Sequence, residues 1–160
     1  MRSLIRSALF LIITFCGHSQ IAHDDSLFDR VLSAITQSVK EEVVCFYLGG
    51  YGDFDNIALR ACKKYKESHP TVRIVFVTPY LSQRYLKNRE VVLKRYDEVV
   101  FPEIENVLPR FAILKRNEWM VKKADFVIAY VNYGWGGAAN MLAYAVKQKK
   151  PFLNLGQKSF

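Results

Sequence analysis

The stretch that decides the fold is EVVCFYL at 42–48, followed directly by GGYGDFD at 49–55. Its first part is apolar after Glu42, and it stops at a glycine-rich turn that leads into a helical pattern. This order is typical of the first half of a βαβ unit, in which the turn lies at the carboxyl end of the strand. Open α/β sheets bind their ligands at that edge, so the turn predicts a binding crevice.

The glycines of this turn indicate what the crevice would hold. Gly49, Gly50 and Gly52 allow positive φ and let a ligand approach the backbone, since no Cβ intervenes. We expect Asp53 to cap the helix Phe54–Ser68, whose first N–H groups would then face an anion such as a phosphate. The alternative is a glycine turn that serves only as a turn.

Strand and helix patterns alternate along the whole chain. The strands are predicted at Leu9–Cys16, Val43–Leu48, Val72–Val77, Tyr96–Val100, Phe126–Val131 and Pro151–Leu155. The helices are predicted at Leu27–Val39, capped by Ser26, and at Phe54–Ser68, Leu81–Leu93, Arg110–Lys123 and Ala138–Lys149, with a loop at Pro102–Pro109. Right-handed crossovers place every strand exit on one edge of a parallel sheet. The fold class is α/β, with one domain at 8–160 after an extension at 1–7, about five to six parallel strands, and helices on both faces.

Charge and cysteine content limit the classes of partner and compartment. The formal net charge of +8 favours an anionic ligand, a nucleic acid or an acidic partner. Nucleic acid is the lesser of these, because neither a basic tail nor zinc-finger spacing accompanies the charge. Cys16, Cys45 and Cys62 are an odd number at unrelated spacings, which fits free thiols in a reducing cytosol. No metal site is predicted, because the histidines show no ligand spacing with one another or with the cysteines.

The amino-terminal segment carries a competing signal for the compartment. Residues 1–6 contain two arginines and Ala8–Cys16 is apolar apart from Thr14, as in a secretory signal. Nine such residues are too few to span a bilayer, and their removal would delete the first strand. We therefore predict a cytoplasmic protein that does not associate with membranes, with processing of this segment as the alternative.

A second glycine cluster, NYGWGG at 132–137, follows the strand Phe126–Val131 and opens the last helix. Because both glycine turns are expected at the same edge of the sheet, they predict a shared crevice. Tyr51, Tyr133 and Trp135 lie in these turns, where an aromatic ring can stack on a base. The predicted ligand contacts from the strand exits are Gly17, His18, Gly49, Gly50, Tyr51, Gly52, Asp53, Thr78, Gly134, Trp135, Gly136, Gly137 and Asn140.

Several short motifs in the same order resemble one known superfamily. They are Gly17-His18, the 49–55 turn, RNEWMV at 116–121, ADFVIAY at 124–130, and GGAAN at 136–140 followed by Tyr144-Ala145. Over Leu9 to Leu155 this set resembles the SLOG superfamily, which includes the Lonely Guy and DprA-like proteins, and most of all its YspA/YpsA-type branch of uncharacterised bacterial proteins. The resemblance implies a Rossmann-like domain that binds nucleotides or nucleotide-derived ligands at the strand exits. No cofactor is predicted.

The resemblance also names candidate residues. Arg116 stands where Lonely Guy enzymes place a functional arginine, and with Asn117 beside it we predict a phosphate contact; a solvated helix residue is the alternative. Those enzymes hydrolyse the N-glycosidic bond of cytokinin riboside monophosphates and use an acidic residue shortly after a glycine-threonine pair. Here the matching stretch is Gly137–Met141, and no Asp or Glu follows Asp125, which argues against that route. Asp53 and Asp55 are the catalytic candidates that remain.

Three hypotheses follow for the function. The leading one is a nucleotide-binding or nucleotide-sensing module that holds a phosphate or phosphoribosyl group between the two glycine turns. The second is a nucleotide N-glycoside hydrolase or deoxyribosyltransferase that uses Asp53 or Asp55. The third is a DprA-like binder of single-stranded nucleic acid. By analogy with the superfamily, the chain is also expected to form a homo-oligomer.

Overall fold

The computed structural model describes residues 11–39, 44–79, 89–104 and 107–157. Strands and helices alternate along these ranges, as the hydrophobic pattern predicts. In chain order they are β1 (Leu11–Gly17), α1 (Leu27–Ser38), β2 (Val44–Leu48), α2 (Asp53–Ser68), β3 (Arg73–Val77), α3 (Arg89–Arg95), β4 (Glu98–Val100), α4 (Ala112–Lys123), β5 (Phe126–Tyr130), α5 (Gly137–Lys147) and β6 (Phe152–Asn154).

The strands form one parallel sheet in the order β4-β3-β2-β1-β5-β6. The chain moves outward from β1 to β4 and then returns to place β5 on the other side of β1. This return is a topological switch point, and open α/β sheets bind their ligands outside the carboxyl ends of the two strands that flank it. The Rossmann-like α/β fold is thereby confirmed, and the switch point lies between β1 and β5.

Each face of the sheet is covered by its own pair of helices. Phe15 and Ile128 belong to the core that packs against α1 and α2, whereas Cys16 and Val127 belong to the core that packs against α4 and α5. Neighbouring residues of a strand point to opposite faces, so both faces of β1 and β5 are buried. This explains why these strands are apolar apart from the buried Thr14.

Some predicted boundaries differ from those of the structure. The predicted helix Leu81–Leu93 falls mostly on residues 80–88, which lie outside the described ranges, and α3 covers Arg89–Arg95. The extension at 1–7 and the start of the first strand lie outside them as well. Helix α4 begins at Ala112 instead of Arg110, because Pro109–Phe111 forms a 3₁₀ turn. No helix in the described ranges is long and apolar enough to cross a membrane.

One predicted helix cap is confirmed in position and the other is wrong. Ser26 is the N-cap residue of α1, but its side chain makes no capping bond to the helix; its amide and hydroxyl both donate to the Asp24 carboxylate, at 2.9 and 2.7 Å. Helix α2 is capped by Gly52, at φ +96°, and Asp53 is its first residue. The Asp53 carboxylate accepts a hydrogen bond from the amide of Ile21 at 3.0 Å. Asp53 therefore fastens the loop after β1 to α2.

Candidate ligand-binding site

A cavity of about 310 Å³ opens at the carboxyl edge of the sheet, where the exits of β1, β2 and β5 meet. It lies at the switch point, as the topology requires of a ligand site. The predicted site residues that line it are Gly17, His18, Gly49, Tyr51, Asp55, Arg116, Asn117, Trp135, Gly136 and Gly137. The predicted residues that do not line it are Gly50, Gly52, Asp53, Thr78, Gly134 and Asn140.

The first glycine turn is occupied by a carboxylate of the protein itself. Asp55, the third residue of α2, accepts hydrogen bonds from the amides of Tyr51, at 3.2 Å, and Gly50. Burial raises the pKa of Asp55 to about 6, and these two bonds and the nearby Arg116 charge oppose that rise. The Asp55 carboxylate thus takes the position that an external anion would occupy at this turn.

The first amides of α2 bind protein carbonyls, so our expectation that they face a ligand is wrong. The amide of Asp53 donates to the carbonyl of Ser19 at 2.8 Å, and the amide of Phe54 donates to the carbonyl of His18 at 3.4 Å. The two segments pack closely, because a Cβ added to Gly52 would lie 2.6 Å from the Cα of Ser19. Glycine at 52 therefore serves this contact as well as the positive φ.

Arg116 is a buried residue of α4, which excludes the alternative of a solvated side chain. It is 5% exposed, and its Nη1 donates to the carbonyls of Gly49, at 3.1 Å, and Val77, at 2.7 Å. Its Nε donates to the Asn117 side-chain oxygen at 2.9 Å. The guanidinium therefore ties α4 to the exits of β2 and β3 while it lines the cavity. Its contact with a phosphate remains a prediction.

His18 connects the exits of the two strands at the switch point. The amide of Asn132, the second residue after β5, donates to Nε2 of His18 at 2.9 Å. Since Nε2 accepts this bond, the imidazole is neutral and carries its proton on Nδ1. Burial lowers the pKa of His18, which favours the same neutral form.

Three rings form a continuous stack beside the cavity. His18 stacks on Tyr133 with ring centres 3.9 Å apart and an interplanar angle of 11°. Tyr133 stacks in turn on Trp135 at 4.1 Å and 26°. His18 is buried, whereas Trp135 is 69% exposed. The stack thus runs from the buried exit of β1 to the solvent.

The second glycine turn differs from the first in being open. Among the described residues, a Cβ added to Gly136 or Gly137 would meet no atom within 4 Å, whereas one on Gly49 would lie 3.1 Å from the Arg116 guanidinium. Helix α5 begins at Gly137 and has no acidic residue in its first turn. Its positive dipole end therefore faces the cavity with no carboxylate from its own first turn.

Some lining residues were not predicted from the sequence. Ser19, Ile113, Met120 and Met141 also line the cavity. Ile113 precedes Arg116 by three residues on the same helix, and that spacing is a signal that would have identified it. Cys16 lies at the cavity as a neutral thiol that donates to the carbonyl of Ala138 at 3.0 Å, and burial raises its pKa well above the ordinary value. Within the described ranges, no cluster of three or more side chains suits a metal ion.

No protein-family model and no curated protein sequence match this chain. Its structure is similar to that of DNA processing protein A from Helicobacter pylori, described for its single-stranded DNA binding mode, with a TM-score of 0.61, 16% identity, and coverage of 92% of this chain and 66% of that one. For DNA processing protein A from Streptococcus pneumoniae the TM-score is 0.62, the identity 14% and the coverage 92% and 51%. For the molybdenum cofactor carrier protein from Chlamydomonas reinhardtii the TM-score is 0.51 and the identity 15%, with coverage of 90% of this chain and 76% of that one.

At these identities the similarity shows the fold alone. The chain spans just under two thirds of the Helicobacter pylori protein and about half of the Streptococcus pneumoniae protein. The likeness to DNA processing protein A agrees with the Rossmann-like fold that the sequence predicts, while membership of the SLOG superfamily and of its YspA/YpsA-type branch remains a prediction. This chain is therefore a Rossmann-like domain similar in fold to DNA processing protein A.

Proposed function

We propose that this domain binds a small nucleotide or nucleotide-derived ligand in the cavity at the switch point. The observation that supports this most is the meeting of an open glycine turn, Gly136–Gly137, with the exits of β1 and β2 around one cavity of about 310 Å³. That volume lies at the lower end of the range of small-molecule sites, roughly 300–1,000 Å³.

The distribution of charge favours the second turn as the position of the anionic part of the ligand. The amides of the first turn already bind Asp55, so an anion there would have to displace a carboxylate. The start of α5 has an open approach and no acidic neighbour in its first turn, and the net charge of +8 favours anions generally. The phosphate therefore lies against Gly136 and Gly137, instead of between both turns as the sequence alone suggests.

Calorimetric titration with AMP, GMP, CMP and UMP tests this proposal. We expect at least one of them to bind the wild type, and Gly137→Asp to weaken that binding because it adds a carboxylate where the phosphate would lie. Ala143→Asp is the matched control, since it adds the same charge at an exposed position of α5 that does not line the cavity. Absence of binding by all four nucleotides at millimolar concentration would overturn the proposal.

A second candidate function is hydrolysis of the N-glycosidic bond of such a nucleotide. The observation that favours it is the Asp55 carboxyl, which lines the same cavity and has a pKa raised by burial to about 6. A carboxyl with this pKa has both protonation states populated near neutral pH, as general acid and base catalysis requires.

Release of free base from the nucleotide that binds best tests this second candidate. Asp55→Asn should abolish the release, because an amide cannot exchange the proton. Asp53→Asn is the control, since Asp53 does not line the cavity, and it should retain the activity. Unchanged release in Asp55→Asn would exclude Asp55 as the catalytic acid.

A further inference from the structure

In the described part of the chain, the stack of His18, Tyr133 and Trp135 is buried at its His18 end and exposed at its Trp135 end, where another ring can join it. The two ring separations, 3.9 and 4.1 Å, leave no space for a ring inside the stack. Tyr133 must lie between the other two rings, since His18 and Trp135 cannot occupy the same face of it at these distances. The face of Trp135 that points away from Tyr133 is therefore the open end.

The two inner rings of the stack support the position of Trp135. The inner ring, His18, is buried and accepts the amide of Asn132, so its plane is set by the backbone after β5. Tyr133 stacks on that fixed ring, and Trp135 stacks on Tyr133. An indole that is 69% exposed is thus stacked on two further rings, and this arrangement before binding lowers the entropy cost of stacking a ligand on it.

The open end also lies beside the place proposed for the phosphate. Trp135 and Gly137 both line the cavity and are two residues apart, so their Cα atoms are separated by at most about 7 Å. A ribose can bridge a phosphate at one and a base at the other. The Cβ position of Gly136, between them, meets no atom of the described part of the chain within 4 Å, which leaves room there for the sugar.

We infer that the exposed face of Trp135 is the platform on which the nucleobase of a mononucleotide stacks, as the fourth ring of the His18–Tyr133–Trp135 stack. This inference rests on the proposed function and specifies which part of the ligand selects it. Stacking on Trp135 requires an aromatic ring in the ligand. A sugar phosphate without a base therefore gains no affinity from this platform.

Fluorescence isolates the platform, because the chain contains two tryptophans, Trp119 and Trp135. Trp119 stacks on Tyr47 and does not line the cavity, so Trp119→Phe leaves Trp135 as the only reporter. We expect AMP to quench the emission of the Trp119→Phe protein and ribose 5-phosphate to leave it unchanged. In Trp135→Phe, the remaining Trp119 emission should not respond to AMP.

Calorimetry supplies the independent measurement. The wild type should bind AMP at least about tenfold more tightly than ribose 5-phosphate, and Trp135→Leu should remove most of that difference while leaving the affinity for ribose 5-phosphate unchanged. Trp135 is largely exposed, so the melting temperature should stay near that of the wild type. AMP binding that is equal in the wild type and in Trp135→Leu would overturn this inference and leave the proposed function standing.

Two other outcomes also decide the matter. If none of the four nucleoside monophosphates binds the wild type, the proposed function and the platform both fail. If a single-stranded oligothymidylate binds through Trp135 and the mononucleotides do not, the platform serves a strand, and the inference of a mononucleotide ligand is overturned.

Discussion

The backbone amide of Asn132 donates to Nε2 of His18 across 2.9 Å, and this bond joins the exits of β1 and β5 at the switch point of the sheet. The two residues are 114 positions apart in the chain. Because the same imidazole begins the aromatic stack, its protonation state affects both the joint between the strands and the wall of the cavity.

The first prediction concerns the protonation of His18. Its pKa in the folded protein is lowered by burial below the ordinary value of 6.5, so the unfolded chain binds more protons as the pH falls. The stabilisation from neutral His18 is fully present above pH 6.5 and is lost as the pH falls through the lowered pKa. Gln at this position offers an acceptor and does not titrate. We expect His18→Gln to lose less stability than the wild type between pH 8 and pH 5, measured by chemical unfolding. Equal losses would contradict this.

The second prediction concerns Asp55, whose contribution to stability changes with pH in the direction opposite to that of His18. The pKa of Asp55 is raised from 3.8 to about 6, so its contribution to stability is fully present below 3.8 and is lost as the pH rises through 6. Asn keeps an acceptor for the amides of Gly50 and Tyr51 and cannot ionise. The stability of Asp55→Asn relative to the wild type should therefore increase between pH 4 and pH 8, by roughly 3 kcal/mol at most. A relative stability that does not change with pH would show that the carboxylate is well solvated.

The third prediction concerns Arg116, whose donors bind two carbonyls at strand exits. Arg116→Ala should lower the free energy of unfolding by about 1.5–3 kcal/mol, because the carbonyls of Gly49 and Val77 lose a charged donor. If the guanidinium also binds the ligand phosphate, affinity should fall by about ten- to hundredfold. Arg116→Lys should recover only part of either loss, because an ammonium lacks the planar fork. Loss of stability with equal affinities in all three proteins would leave Arg116 with a structural role alone.

The fourth prediction compares two glycines with the same substitution. Gly52→Ala should destabilise the protein by roughly 1–3 kcal/mol, because φ is +96° and the new Cβ would meet the Cα of Ser19. Gly137→Ala should leave stability equal or raise it by up to about 1 kcal/mol, since it adds a helix-favouring residue in open space. Under the proposed function, Gly137→Ala should nevertheless weaken nucleotide binding. Thermal unfolding and calorimetry measure the two effects; undiminished affinity in Gly137→Ala would count against a phosphate at α5.

The fifth prediction separates a mononucleotide pocket from a basic surface that binds single strands. Lys122 and Lys123 end α4, and Lys147 ends α5, so they lie near the amino ends of the strands that follow, at the edge opposite the cavity. Because these lysines lie away from the cavity, the affinity for a mononucleotide should change little between about 50 and 200 mM salt. Binding of a single strand through several phosphate contacts would weaken by orders of magnitude over the same range. Mononucleotide binding with that steep a slope would contradict the pocket.

The sequence by itself determined the layered fold. Uninterrupted apolar strands such as Phe126–Tyr130 require cover on both faces, and their alternation with amphipathic helices leaves a parallel sheet as the arrangement that supplies it. It also determined which edge carries the crevice, because every glycine turn follows a strand. These inferences succeed since burial is encoded by the periodicity of neighbouring residues.

Only the tertiary structure decided what each turn does. The two glycine clusters are alike in composition, yet Asp55 occupies the amides of the first, while the second stays open beside Trp135. Asp53 was expected at the helix cap and the crevice, but it binds Ile21 and does not line the cavity. The bond from Asn132 to His18 joins residues from distant parts of the chain. The hydrogen-bond partners of a turn depend on which segments the sheet brings beside it, and local sequence periodicity contains no record of that pairing.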